Sequence, residues 1–362
     1  MKFPNRVREA RIEKGFTRDE LAQLAGVTRQ SIGLIEAGRV CPSTMVALRI
    51  SRVLQSSVEN LFWENETIIP ARLFGNKDGN TNSQTRVYVS SIRNEFVARP
   101  VYIETVDSIS NPVHGIAQSS TEHKGITEVR LLQSPESISK TVFVSGCDLG
   151  LGLLAKYTQR VSSHHQGVWF NASNKRALAE LEEGFTHIAA VHYPATGGLE
   201  INLPFPYRRY HFAAAELGWI LPKGNLKGFH RGEDLTNGHF RLINREAGAG
   251  ARELLDRELR YFGADPEKIP GYDSVATGHL SVAEAVANGL ADVGVGHAGA
   301  AAIYGLEFVP IQQESCSLIV PEQYLVTDAV QVFLETLYSD VFRTELGSFG
   351  PYDLERMGTV VS

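Results

Sequence analysis

Apolar positions recur at helical spacing over the first sixty residues and in short β-like runs after residue 86, and this change of period divides the chain. In Thr17–Gly38 (TRDELAQLAGVTRQSIGLIEAG) the pattern predicts two short helices joined by a tight turn. Thr17 is the N-cap of the first, and Glu20 completes a capping box. Leu21, Ala22, Leu24 and Ala25 form its apolar stripe. Gly26 stands where the turn needs positive φ, Val27 is the turn's buried residue, and Thr28 caps the second helix. Ile32 and Ile35 then face inward, Arg29, Gln30, Ser31 and Gly33 face out, and Gly38 ends the helix. Ser57 caps a last helix whose Val58, Leu61, Phe62 and Trp63 close a small core, so residues 1–66 are expected to form an all-α domain.

Residues 67–85 turn polar and Gly/Asn-rich (FGNKDGNTNSQT) and are expected to be a linker. Residues 86–140 carry the runs VYVSSI, EFVARPVYIE and ITEVRLLQ, a β-rich connecting region that either completes the next sheet or mediates dimerisation. Over 141–362 strands and helices alternate, from TVFVSG and DLGLGLLAKYTQR to ADVGVG and SCSLIVP, which predicts parallel sheets with crossover helices. Two such units, the second over about 212–325, make an α/β domain of two lobes with a ligand cleft between them. The stretch TDAVQVFLETLYSDVFRTELG reads as one amphipathic helix, with Val330, Phe333, Leu334, Leu337 and Val341 packed on the first lobe.

Charge sharpens this division. Residues 1–55 hold ten Lys/Arg against five acids, while the whole chain carries −6, so a basic head sits on an acidic body. That asymmetry fits a head that meets phosphate and a body that does not. With 43% hydrophobic and 21% charged residues, the composition is that of a globular protein. No apolar run approaches about 18 residues and MKFPNRVREARIEKG has no signal-peptide core, so the expectation is a cytoplasmic chain without a membrane partner. Cys41, Cys147 and Cys316 are too scattered for a disulfide framework or a metal knuckle.

Arg29, Gln30 and Ser31 at the exposed start of the second helix suit the major groove, where Gln pairs with adenine and Arg with guanine. From Val7 to Phe62 the chain resembles the Xre, or phage-repressor, helix-turn-helix family. The resemblance lies in the Arg11–Lys14–Gly15 approach, the LA-x-LAGV-x-R core and the IE-x-G exit with a Pro soon after. It implies five helices, the third, about Thr28 to Ala37, reading bases. The DNA contacts are then expected at Thr17, Arg18, Thr28, Arg29, Gln30, Ser31 and Arg39, with the protein bound to duplex operator as a homodimer or higher oligomer.

Three strand-to-helix junctions end in small residues where an anion could meet helix N–H groups: Ser145–Asp148, Asn171–Lys175 and Ala247–Arg252. FVSGCDLGLGLLA, GFTHIAAVHYPATGG, LINREAGAGARELLD, GYDSVATGHLSVAEAVANGLADVGVG and PYDLERMG are similar to the cytoplasmic substrate-binding domain related to type II periplasmic binding proteins for molybdate. The resemblance implies two lobes closing on a small ligand, often an oxyanion such as molybdate or tungstate. By position the ligand-facing residues would be Ser145, Cys147, Asp148, Ser173, His192, Gly250, Ala251, Arg252, Thr277 and His279. The chain departs from that pattern in its glycine-rich turn, where Ala249 and Ala251 replace hydroxyl donors and leave Arg252 with the backbone, and at Cys147, where a Ser is usual.

Cys147 at a helix start is either a thiol of lowered pKa or a small residue filling a turn. His164 and His165 have no ligand partner at helical spacing, so no metal site is expected. His192, His279 and His297 stand at lobe edges as hydrogen-bonding candidates. No G-x-S-x-G elbow, P-loop or HExxH is present, and no catalytic residue is assigned. The expected function is a one-component transcriptional regulator with no cofactor beyond a possible oxyanion effector. The alternatives are a ligand-free docking or oligomerisation domain on the same head, and an α/β enzyme.

Overall fold

The computed structural model describes residues 3–62, 67–75, 85–101, 111–118, 125–197 and 200–361. It divides into two compact units, Met1–Ile68 and Ile69–Ser362. The first holds five helices: α1 (Val7–Glu13), α2 (Arg18–Ala25), α3 (Arg29–Glu36), α4 (Thr44–Leu54) and α5 (Val58–Leu61). Thr17, Thr28, Ser43 and Ser57 each precede one of α2 to α5, and each hydroxyl oxygen accepts the backbone N–H three residues on. Every turn in this small domain is therefore set locally. At the end of α3, Gly38 (φ +67) and Arg39 donate to the carbonyls of Ile35 and Leu34, a Schellman motif.

Val7, Leu21, Ala25, Ile32, Ile35, Ile50, Leu54 and Leu61 form the core of this unit. Leu24, expected in the apolar stripe of α2, is instead 57% exposed. The buried stripe is centred between Leu21 and Ala22, and Leu24 falls about 100° round the helix from it. Trp63, expected to close this core, lies outside the described residues. Glu36 is a polar staple: its carboxylate accepts from Arg11 Nε at 2.6 Å and Arg18 Nε at 2.8 Å, tying α1 and α2 to α3. Burial alone would raise its pKa, but the two guanidiniums hold it below the usual carboxylate range.

The second unit opens with a closed five-stranded barrel in the order β1-β3-β2-β4-β5. Its strands are β1 (Ile68–Leu73), β2 (Thr85–Ile92), β3 (Glu95–Pro100), β4 (Gly115–Gln118) and β5 (Ile126–Leu131). Residues 68–73, read from sequence as linker, thus supply a barrel strand; Ile69, Ala71 and Leu73 alternate inward and enter the barrel core. The rest of that expected linker, 76–84, and the YIE of the run EFVARPVYIE lie outside the described residues. The barrel does not extend the neighbouring sheet. It packs on it through side chains, with Ser90 Oγ donating to the Thr141 carbonyl at 2.5 Å and Arg72 Nη2 to that of Gly184 at 2.8 Å.

After α6 (Pro135–Ser139), β6 (Thr141–Ser145), α7 (Gly150–Val161), β7 (Gln166–Phe170), α8 (Asn174–Glu182) and β8 (Ile188–Pro194) build the first lobe around the parallel order β7-β6-β8. β9 (Tyr207–Leu221) then crosses into the second lobe. That lobe contains β10 (Leu242–Arg245), α9 (Gly250–Tyr261), β11 (Val275–Ala276), α10 (His279–Ala287), β12 (Val293–His297) and α11 (Ala298–Ile303). β13 (Glu307–Pro321) returns, antiparallel to β9 along its whole length, and from Glu314 to Ile319 pairs with β8 of the first lobe. One nine-stranded sheet therefore runs through both lobes, and the two long strands cross between them near Ala213–Ala215 and Glu314–Cys316. A register shift between Cys316 and Ser317 marks a bulge at that crossing. The lobes keep separate cores, one around Phe143, Leu154 and Phe212, the other around Trp219, Leu242 and Leu255.

The long amphipathic helix expected near the end of the chain is broken in two. α12 (Asp328–Glu335) is followed by a 3-10 turn, and Ser339 caps α13 (Asp340–Gly347). The restart rotates the buried face, so Phe342 is buried and Val341 is 62% exposed. Both helices and the turn between them still join the core of the first lobe, through Val330 and Phe333, Leu337, and Phe342 and Leu346. β14 (Val360–Val361) pairs with β9.

Candidate functional site: a helix start on the head and a cleft between two lobes

On the head, the capping box at Thr17 fixes α2: the hydroxyl accepts from Glu20 N, and the Glu20 carboxylate accepts the Thr17 N–H at 2.7 Å. Gly26 (φ +67) turns the chain, and Thr28 starts α3 with its oxygen on Ser31 N and Ser31 Oγ 2.8 Å away. This leaves Arg29 and Gln30 exposed at the start of α3, with Arg29 in a solvent-facing pair with Asp19 at 3.5 Å. Arg18 leans on Glu36 but remains 43% exposed, and Arg39 is exposed beyond α3. A two-helix unit presenting Arg, Gln and hydroxyls at one helix start has the chemistry of a base-reading element.

The cleft has a deep and a shallow part. Deep within it, where β9 and β13 cross, lie Asp148, His192, His297, Glu314 and Cys316, lined by Ala213, Ala215 and Leu217. These side chains close on one another and leave no room for a water molecule. Asp148 Oδ1 accepts from Gly150 N at 2.8 Å and from the Tyr352 hydroxyl at 3.0 Å, while Oδ2 stands 3.5 Å from His192 Nε2. His297 Nδ1 accepts from Gly299 N at 3.0 Å, which places its ring proton on Nε2. The His279 ring lies between those of His192 and His297, edge-on to the first at 6.3 Å and tilted against the second at 5.9 Å, and its Nδ1 is 3.1 Å from Arg245 Nη1. Arg245, whose side chain is 1% exposed, lies beside Cys147 and is paired with the Glu246 carboxylate at 2.8 Å.

Burial governs the protonation of this cluster except at His192, where burial pulls the ring down but Cys316 and Cys147 beside it hold it well above the usual imidazole range. Burial pushes the His297 ring down to about 4 against the pull of Asp148, and the Cys316 thiol up to about 11 against His192. His279 falls well below the usual imidazole range through burial and then the Arg245 charge, so its ring is neutral. Burial also raises Glu314, partly offset by His192.

In the shallow part, one helix start from each lobe faces the other. Ser173 precedes α8 and Ala249 precedes α9, and neither start has a side-chain capping bond. A Cβ at Gly248 (φ +85) would lie 3.6 Å from Lys175 Cβ and 3.9 Å from Ser173 Oγ, so these segments are close neighbours. Beside them Gly278 (φ +89) abuts Asn171, and a Cβ there would come within 2.7 Å of Asn171 Nδ2. Only a glycine fits that crossing.

Of the residues predicted to face a ligand, Cys147, Asp148, His192 and His279 join the deep cluster, and Ser173 and Gly250 the shallow part. Four stand elsewhere. The Ser145 hydroxyl donates to Glu180 at 2.5 Å and accepts from Arg99 at 3.1 Å, in a buried ion pair joining the barrel to the first lobe. Ala251 is packed in the core of the second lobe. Arg252 turns back, donating to the Arg245 carbonyl at 3.1 Å and lying 5.2 Å over the Tyr272 ring. Thr277 is exposed one residue before Gly278. Sequence reasoning missed Arg245, Glu314, Cys316 and Tyr352; Arg245 and Tyr352 sit inside quoted motifs, but Cys316 becomes visible only through its pairing with His192 across β13 and β8.

Comparison with known proteins agrees with this architecture. The profile of the PBP superfamily domain matches residues 155–338, and a helix-turn-helix profile matches residues 7–61. The chain is similar to the uncharacterised protein YvgK of Bacillus subtilis, 28% identical over 229 residues, which are 61% of this chain and 73% of that protein. Its head is 37% identical over 62 residues to the HTH-type transcriptional regulator YgzD of the same organism, covering 17% of this chain and 94% of the relative. It is also 47% identical over 57 residues to an HTH-type transcriptional regulator of Methanothermobacter thermautotrophicus, covering 16% and 83%. The chain belongs to the PBP superfamily, with an Xre-type helix-turn-helix domain at its N-terminal end.

Proposed function

We propose that the chain is a cytoplasmic one-component transcriptional regulator whose head binds operator DNA as a dimer and whose two lobes close on a small anionic effector, an oxyanion such as molybdate or tungstate. In the bound dimer the two α3 helices would enter major grooves about 34 Å apart. The observation that carries the effector reading is the pair of uncapped helix starts, α8 from one lobe and α9 from the other, set against each other beside Lys175. Unpaired N–H groups at a helix start favour an anion, and two starts from opposite lobes would make its binding favour closure. Arg252 plays no part, since its guanidinium is engaged inside the second lobe.

A thermal-shift panel on chelator-treated protein with molybdate, tungstate, sulfate, phosphate, amino acids and small carboxylates tests this. An anion at about 100 times its Kd should stabilise the fold by roughly 2.7 kcal/mol, and the shift should be lost in Lys175→Ala and kept in Arg252→Ala. The second reading, a ligand-free docking domain, is favoured by one feature: the deep cleft is filled by its own side chains. A flat panel would select it.

A further inference from the structure

The deep cluster has a chemistry that an anion does not explain. The ligand atoms of Asp148, His192 and Cys316 lie within 4.8 Å of one another, all three residues buried. His192 Nε2 is buried with no hydrogen-bond partner among the described residues, and its side chain is only 7% exposed. Its separation of 3.5 Å from Asp148 Oδ2 is long for a charged hydrogen bond. It is close to the edge of a tetrahedron built on metal–ligand distances of about 2.0–2.3 Å. Asp148 Oδ1 is engaged by Gly150 and Tyr352, so Oδ2 is the free oxygen and its direction is fixed.

We propose that Asp148, His192 and Cys316 form a binding site for a zinc-like divalent transition-metal ion. A thiolate, an imidazole and a carboxylate together suit a borderline ion of this kind. The supports around them are those such a site requires. Glu314 faces the far nitrogen of His192, Nδ1, at 3.8 Å, the side from which a carboxylate orients a ligating imidazole. Asn174 brackets the His192 backbone, accepting from its N–H at 2.9 Å and donating to its carbonyl at 2.7 Å. The bulge at the crossing lies on β9, whose Phe212 is the extra residue, while β13 keeps its register with β8 and so sets Cys316 directly across from His192. Three protein ligands are the minimum such an ion needs, and His297 Nε2, a buried N–H with no hydrogen-bond partner among the described residues, lies in the same pocket. Binding releases the Cys316 thiol proton.

This inference goes beyond the effector reading and does not depend on it. The test is titration of the full-length, chelator-treated, reduced protein with cobalt(II), followed by absorption. Wild type should take up one equivalent with a sulfur-to-cobalt charge-transfer band and the intense d–d bands of a four-coordinate site, both removed by added zinc. Cys316→Ser should lose the charge-transfer band and Cys41→Ser, at the exposed cysteine, should keep it. Asp148→Asn should weaken cobalt binding roughly tenfold or more, an outcome that serves even if Cys316→Ser does not fold. A wild-type protein without the band, or a band that survives Cys316→Ser, overturns the proposal. An oxyanion melting shift in the same preparation would leave the effector reading standing, so the two can fail separately.

Discussion

At the starts of α7 and α11 a side chain already occupies the helix N–H groups: Asp148 Oδ1 on Gly150 N at 2.8 Å and His297 Nδ1 on Gly299 N at 3.0 Å. At the starts of α8 and α9 none does. The two pairs lie in one cleft, yet they are prepared for opposite partners. A capped start has its positive end answered and hands the other edge of the capping group to the deep cluster. An uncapped start keeps its N–H groups for something that arrives. The lesson is that helix starts alone do not define a ligand site in this fold; what each protein has already placed on them does.

The largest effect should come from the pair that underpins the deep cluster. Arg245→Leu strands Glu246 and removes the contact to His279, and should lower the unfolding free energy of the two-lobed unit by about 3–5 kcal/mol in denaturant titrations. If the loss is under 1 kcal/mol, the cluster is not held by this pair. Acid comes next. His187 and His297 both have pKa values depressed to about 4 by burial, below the unfolded value of 6.5. An unfolded chain binds these protons first, so the stability they contribute is complete above about pH 6.5 and is lost as pH falls from there towards 4. The loss should approach about 3 kcal/mol per ring, read as melting temperature against pH. A melting temperature flat between pH 7 and 4.5 would contradict neutral buried rings.

On the uncapped side, Lys175→Ala should weaken oxyanion binding by about 1.5–3 kcal/mol in calorimetric titration while Arg252→Ala leaves it within twofold. The reverse ranking would move the anion away from α8. Smallest is the head's own cap: Thr17→Ala should cost about 1 kcal/mol of helix stability, seen by circular dichroism, without altering any ligand response of the cleft.

How far the sequence carries differs between these regions for a physical reason. In the head the contacts that set the helix starts and the turn are local: the capping box joins Thr17 to Glu20 and the turn needs one glycine, so the spacing of residues and the fold agree, while Leu24 and the long-range staple of Glu36 to Arg11 are the exceptions. The two-lobed class follows from alternating strands and helices, yet the barrel does not, because β1 finds β3 rather than its neighbour in sequence. In the cleft the glycine-rich turn before α9 is readable, but where Arg252 points is decided by Tyr272 and the Arg245 carbonyl. The meeting of His192 with Cys316 depends on a strand pairing that no window of sequence contains.

The most direct measurement is amide hydrogen exchange on the full-length protein with and without saturating molybdate, and again with phosphate. New protection is expected in peptides covering 173–176 and 249–252, where the helix starts lack a side-chain cap, and little change in those covering 148–151 and 297–300. Protection confined to the Asp148 and His297 starts, or absent from all four while either anion binds, would contradict this expectation.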